Sequence, residues 1–129
     1  MSENQKKIWI TGSSSGIGRA VALKFASEGW KVAVSARRTE LLNELANKQN
    51  ILAFPLDVTN KTQIKNTFEN ILADFGNIDI CLFSSGTYDP KNEQTIDPDK
   101  IKNVMDVNFL GVINCVKAVE NYFKEKKSG

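Results

Sequence analysis

Short apolar runs alternate with longer amphipathic stretches along this 129-residue chain, and that alternation restricts its fold more than any other feature. Ile8-Trp9-Ile10, Val32-Ala33-Val34, Ile51 to Leu56 and Ile78 to Phe83 read as buried strands. Between them lie apolar residues at helical spacing. Ile17, Val21 and Phe25 predict a helix from about Gly16 to Gly29, and Leu41, Leu42 and Leu45 mark a second. The third shows the cleanest period, with Ile64, Phe68, Ile71, Leu72 and Phe75 stopped by Gly76. After a polar loop from Thr87 to Ile96, Asp97-Pro98 reads as an N-cap followed by proline at the first helical position. The last helix is expected to run to about Lys126. Strand-helix repeated in this way implies α/β architecture, a parallel sheet with right-handed crossovers and helices on both faces. No repeat, linker or low-complexity tract interrupts it, so residues 1–129 read as one domain.

The final helix carries further information. Val104, Met105, Val107, Phe109, Leu110, Val112, Ile113, Cys115 and Val116 leave almost no polar face in its middle. One sheet cannot cover them all. A second partner, either further chain or another subunit, is expected against the other side.

Charge and composition narrow the functional classes. Seventeen basic against fifteen acidic residues give +2, too little to imply nucleic acid or an acidic membrane as partner. Residues 1–7 are polar and the apolar run that follows is too short for a signal segment or a membrane span. There is no histidine, which removes the commonest acid–base group and metal ligand, and no metal site is expected. Cys81 and Cys115 sit in apolar runs without CxxC spacing and read as two buried thiols in a reducing cytoplasm.

The segment Thr11-Gly12-Ser13-Ser14-Ser15-Gly16-Ile17-Gly18 joins the first strand to the first helix. Its glycines allow a tight turn, close approach of backbone to a phosphate, and close packing of helix on strand. Free N–H groups and the positive end of the helix dipole would then meet the ligand's negative charge, with the serines adding hydroxyl donors. No Lys-Ser/Thr follows the last glycine, so the turn is not a Walker A loop. Its place in the first strand-to-helix slot of an alternating pattern favours nucleotide binding by a Rossmann-type domain over a bare connection.

At these residues the chain resembles the short-chain dehydrogenases/reductases. Thr11 to Gly18 matches their Thr-Gly-x-x-x-Gly-x-Gly at each fixed position. Asp57-Val58 matches their adenine-contacting pair, and Val107-Asn108 with Gly111 matches their fourth-helix motif. The resemblance spans the whole chain. It implies a sheet in the order 3-2-1-4 and onward, a NAD or NADP cofactor, and hydride transfer between an alcohol and a carbonyl of a small-molecule substrate. Asn-Asn-Ala-Gly of the family is here Phe83-Ser84-Ser85-Gly86. Gly86 keeps open backbone beside the cofactor and Ser85 is a small substitute for alanine. Phe83 and Ser84 replace amides that steady the central sheet.

Dinucleotide folds read the adenosine ribose at the end of the second strand, where an acid bonds the 2′-hydroxyl and an arginine accommodates a 2′-phosphate. This chain has Ser35-Ala36-Arg37-Arg38 and no acid there. Arg37 and Arg38 can supply charge-assisted, partly bidentate bonds to a phosphate, which favours NADP(H) over NAD(H). Asp57 also reads as a turn residue before the third helix, with Thr59 or Asn60 as its cap, and both roles can hold together.

Of the family's Asn-Ser-Tyr-Lys catalytic set, the resemblance places only the asparagine here, at Asn108. In the family it holds a water of the proton relay. Asn108 shares helical spacing with Ile101, Val104, Met105, Val112 and Cys115 and is expected within an apolar stripe, where it could equally be a satisfied core amide. Tyr122-Phe123-Lys124-Glu125-Lys126 has the family's Tyr-x-x-x-Lys spacing, but it follows Asn108 on the same helix at roughly 21 Å. Tyr122 is therefore expected to pack and Lys126 to favour the helix C-terminus. The family's fifth strand and catalytic pair would follow Gly129, and its substrate pocket would be built largely there, with Thr87 to Ile96 forming a rim. The chain thus reads as truncated before the fifth strand, inactive on its own, and prone to homo-oligomerise through its uncovered fourth strand and last helix. The alternative is a non-catalytic nucleotide-sensing or interaction module.

Overall fold

The structure is a computed structural model that describes residues 4–87 and 95–129. The middle of the expected Thr87–Ile96 loop, residues 88–94, lies outside the described residues. Four strands, β1 (Lys7–Thr11), β2 (Lys31–Ser35), β3 (Ile51–Ala53) and β4 (Ile80–Phe83), pair in parallel in the order β3-β2-β1-β4. Helices α1 (Gly16–Ser27), α2 (Thr39–Ala46) and α3 (Lys61–Phe75) make the crossovers.

Alternation along β1 divides the core. Ile8 and Ile10 face one layer with Val32, Val34, Ala22, Leu42 and Leu45, all buried under α1 and α2. Trp9 faces the other with Ala33, Phe68, Ile71, Phe75 and Cys115, under α3 and the last helix. Helices thus cover both faces, as the sequence implies. Near-continuous apolar strands are what a sheet buried on both sides requires.

Strand β3 is shorter than expected, closing at Ala53 rather than Leu56. Pro55 has no N–H to give to a ladder, although the Phe54 and Leu56 N–H groups still donate to Val34 O in β2 and to Ala36 O just after it. Helix α3 begins as a capping motif predicts, with the Asn60 side chain accepting from the Gln63 N–H. It ends at Gly76, φ 84°.

The last helix is interrupted. Helix α4 (Pro98–Met105), capped by the Asp97 carboxylate, passes into a π turn over Asp106–Leu110 before α5 (Gly111–Lys126). The extra residue in that turn shifts the helical phase. The buried line becomes Val107, Gly111, Cys115 and Val119, not the expected Ile101–Val104–Met105–Asn108–Val112–Cys115 stripe. Asn108 is consequently exposed, and its expected place among apolar neighbours is corrected. A second apolar line remains uncovered, including Met105, Phe109, Ile113 and Val116, each with about half its surface open. No helix among the described residues is long and apolar enough to cross a membrane. Burial pushes the thiols of Cys81 and Cys115 up to about 12, away from the thiolate form, with Cys115 buried and Cys81 half-buried.

Candidate functional site

The turn between β1 and α1 is locked against the end of β4. Gly12 has φ +68°, and a Cβ there would lie 2.5 Å from Ser84 O and 2.7 Å from Ser85 N. A Cβ on Gly18 would strike Gly12 O and come within 2.8 Å of Ser84 Oγ. Gly16, at φ +59°, has open space around its missing Cβ. Two glycines of the motif therefore serve internal packing, and the middle one serves the turn and an open approach from outside.

The three serines divide similarly. Ser13 is fully buried; its Oγ donates to Ile10 O at 2.5 Å and its N–H donates to Ser35 O at 3.2 Å. It props the turn from beneath. Ser14 and Ser15 line a cleft of about 300 Å³. Ser15 is the N-cap of α1 and makes no side-chain capping bond, so the first-turn N–H groups have no acceptor from it. Ile17, in the first turn of α1, is 78% exposed.

The cleft lies across the carboxyl ends of the parallel strands, where open α/β sheets bind ligands. One wall is Gly12, Ser14 and Ser15. A second is Ala36, Arg37 and Arg38, immediately after β2. Leu56, Asp57 and Val58 after β3 form a third, and Ser85, Gly86 and Thr87 after β4 a fourth, with Val107 closing the back. Both guanidinium side chains are exposed at the rim. Ala36, Leu56, Thr87 and Val107 join the cleft lining although the sequence does not single them out as ligand contacts. Their only signal is adjacency to a strand end or to Asn108.

The acidic corner is held firmly. Asp57 Oδ1 accepts from the Thr59 N–H at 2.9 Å and the Thr59 hydroxyl at 2.7 Å. These bonds, the backbone one foremost, with help from the Arg37 charge, hold its carboxyl below the usual range. The Asp57 N–H donates to Gln63 Oε1 at 2.5 Å. Gln63 was missed, yet its spacing from Asn60 is that of a capping box whose side chain here reaches past the cap to the turn. Val58 packs under Gly111, where a Cβ would come within 2.7 Å of Val58 Cγ2. The Asp57-Val58 and Val107–Gly111 segments, far apart in sequence, thus meet at one wall.

The departure at Phe83-Ser84 is compensated. Ser84 Oγ donates to Thr11 O at 2.6 Å. Phe83 sets its ring edge-on to Trp9, centroids 5.7 Å apart. A hydroxyl bond and an aromatic contact thus tie the end of β4 to β1. Thr11 Oγ1, at the end of β1, is the one buried side-chain polar atom among the described residues without a hydrogen-bond partner.

Asn108 uses both ends of its amide on one residue. Its Oδ1 accepts from the Thr87 N–H at 2.6 Å and its Nδ2 donates to Thr87 O at 2.9 Å. The π turn is thereby pinned to the chain leaving Gly86. Such turns are frequent at functional sites because they displace one helical residue from its regular phase.

Tyr122 and Lys126 sit elsewhere. Tyr122 Oη accepts from the Ile78 N–H at 2.9 Å, and Lys126 Nζ donates to Ile78 O at 2.6 Å while standing 3.5 Å from Asp79 Oδ1. They clamp the entry to β4, at the opposite end of that strand from the cleft. Tyr122→Phe should cost about 1 kcal/mol of stability, read as a lower chemical-denaturation midpoint, and leave ligand affinity at the cleft unchanged. A large loss of affinity without loss of stability would contradict this.

Residues 6–129 match the family described as short chain dehydrogenase. An uncharacterized oxidoreductase of Listeria monocytogenes is 33% identical over 134 aligned positions, covering 100% of this chain and 54% of the relative. Secoisolariciresinol dehydrogenase of Forsythia intermedia is 34% identical, over 93% of this chain and 45% of its own length. Among solved structures, 3-ketoacyl-(acyl-carrier-protein) reductase from Brucella melitensis, complexed with NADH, superposes with a TM-score of 0.86 at 28% identity, covering 96% of this chain and 52% of that one. ElxO with NADP bound gives 0.82 at 26% identity, covering 97% and 53%. The chain spans about half the length of the proteins it matches.

Proposed function

Because the chain belongs to the short-chain dehydrogenase family, we propose that residues 1–129 are one NADP(H)-binding domain of an oxidoreductase that interconverts an alcohol and a carbonyl. The observation that carries the cofactor choice is the wall after β2, where Arg37 and Arg38 stand at the cleft rim and no carboxylate follows Ser35. Two fixed positive charges suit a 2′-phosphate, while an acid there would suit a free 2′-hydroxyl. The solved neighbours include one complexed with NADH and one with NADP bound, so the fold accommodates both and the rim chemistry decides.

The residues present fit a dinucleotide. Ser14, Ser15 and the first-turn N–H groups of α1 offer donors to a pyrophosphate, with Gly16 leaving the approach open and Gly12 and Gly18 packing the turn against Ser84. Asp57 and Val58 form the adenine wall, and Ser84, Ser85 and Gly86 the inner end, where Ser84 is tied to Thr11 and Gly86 leaves room. When bound, the nicotinamide supplies or accepts the hydride. Asn108 acts as a positioning residue: with its amide taken up by Thr87, it fixes the π turn against the segment after Gly86.

The test is a fluorescence titration of this chain with NADPH and NADH. Saturable NADPH binding, weaker for NADH, is expected; equal affinities or none would refute the assignment. This chain alone is expected to leave NADPH unconsumed with a panel of small carbonyl compounds. Turnover well above a protein-free control would overturn that.

A second copy of the chain is the expected partner, with no nucleic acid or membrane involved. Phe109 and Ile113 lie open on a helix that already packs its other side, and Ile80 on the β4 edge is 40% exposed. Sedimentation should show self-association that rises with concentration, reduced in Phe109→Asp. A clean monomer across a wide range would count against it. Two free thiols, one buried and one half-buried, are consistent with a cytoplasmic location.

A further inference from the structure

We propose that the Trp9 indole is a positioning element for cofactor discrimination, holding the end of β2 so that Arg37 and Arg38 are presented at the height of the glycine turn. The inference rests on the NADP(H) reading above and names residues outside the cleft itself.

Trp9 is fully buried in the middle of β1, opposite Ala33 in the parallel register. The small alanine leaves room for the indole to lean along β2. Its Nε1–H donates to Ser35 Oγ at 2.9 Å, a bond shielded completely from water. Ser35 is the last residue of β2 and is itself fully buried. Its carbonyl accepts the Ser13 N–H at 3.2 Å, which ties the glycine turn to the same residue. Two residues further on the chain reaches Arg37.

The ring serves two other walls. It stacks on Phe68 with centroids 5.6 Å apart and an interplanar angle of 19°, and it meets the edge of Phe83, the residue that leads into Ser84-Ser85-Gly86. One side chain therefore touches the supports of the β2 end and the β4 end, and through Ser35 the turn above them. A buried donor with one available acceptor has a single low-energy arrangement, because leaving it unmade costs the full desolvation of the group. Both ends of Ser35 are consequently fixed, its hydroxyl by β1 and its carbonyl by the turn. The arginines start from that anchored point.

The geometry makes the effect selective. The glycine turn is held by the Ser35 carbonyl, a main-chain bond that loss of the Oγ leaves in place, whereas the direction in which Arg37 and Arg38 leave the strand depends on both. Removing the bond should thus weaken NADPH more than NADH. Ser35→Ala and Trp9→Phe, the latter keeping the aromatic contacts, are each expected to lower NADPH affinity about tenfold while NADH changes less than about threefold. The double variant should be no worse than the weaker single, since both delete one bond. Ser35→Thr keeps an acceptor and should restore the preference.

The experiment is fluorescence titration of the full chain and these variants with both nucleotides at one ionic strength, with circular dichroism to establish folding. Folded variants that keep the original NADPH:NADH ratio would sink this inference while leaving the cofactor assignment standing. So would additive effects in the double variant. An unsubstituted chain without NADPH preference would sink both. Should Trp9→Phe fail to fold, the Ser35→Ala and Ser35→Thr pair decides by the same ratio.

Discussion

Gly12→Ala should abolish NADPH binding and lower stability by roughly 2–5 kcal/mol, the sum of a left-handed backbone penalty and an overpacking cost. The backbone at Gly12 has φ +68°, and the new methyl would meet Ser84 O at 2.5 Å. That neighbour is main chain, tied through Ser84 Oγ to Thr11 O, so it has little freedom to retreat. Relief would require β4's end to move from β1's, which opens two cleft walls at once. Gly16→Ala is the internal control. It shares the positive φ, but nothing lies within 4 Å of its added methyl. Its cost should stay near the conformational part alone, about 1–2 kcal/mol, and the chain should still fold. Parallel denaturant melts of the two variants measure the difference. If Gly12→Ala proves no more costly than Gly16→Ala, the close contact between the turn and Ser84 does not govern this site.

That contrast also marks how far the sequence could be read. The glycine spacing identified the turn, but not which glycine faces protein and which faces open space. The distinction depends on Ser84, which is distant in sequence. The four strands and the helices on both faces were legible because short continuous apolar runs such as Ile8-Trp9-Ile10, set between helical periods, suit a sheet buried on both sides. Ile8 and Ile10 indeed face one layer and Trp9 the other. Strand β3's early close follows from Pro55, a local signal outweighed by the apolar run around it. The π turn was not legible. Asp106–Leu110 contains no proline or glycine to announce it, and it is seen only through Asn108's two bonds to Thr87 and Gly111's close approach to Val58. Ser13 likewise could not be separated from Ser14 and Ser15, since its inward turn is fixed by Ile10 O and Ser35 O. Phe83 and Ser84 stood out as departures. What compensates for them, an aromatic edge on Trp9 and a hydroxyl bond to β1, arises only when β1 and β4 pair.

The second large effect concerns Arg37→Asp, which should reverse nucleotide preference. One charge-assisted contact to the 2′-phosphate is worth roughly 1.5–3 kcal/mol, or about 10- to 150-fold in affinity. Arg37 is exposed at the rim, so the lower part of that range applies and the effect should shrink as salt rises. The aspartate adds repulsion toward the phosphate and an acceptor for a free 2′-hydroxyl, so NADH should bind as well as or better than before. Charge state gives a further handle. A phosphate monoester takes its second charge at about pH 6, and the preference of the unsubstituted chain should therefore grow as pH rises through that value. Asp57 does not confuse the reading. Its carboxyl is held below the usual range by Thr59 and Arg37, so it stays ionised across this window. Losing Arg37 removes one of those influences, and the weaker of them, since the Thr59 bonds come first. Nucleotide titrations of both proteins at pH 5.5 and 7.5, values set about that pKa of about 6, separate the contributions. A preference unchanged by the substitution would place the discriminating contact with Arg38 or outside this wall altogether, and one independent of pH would mean that the phosphate's second charge does not set it.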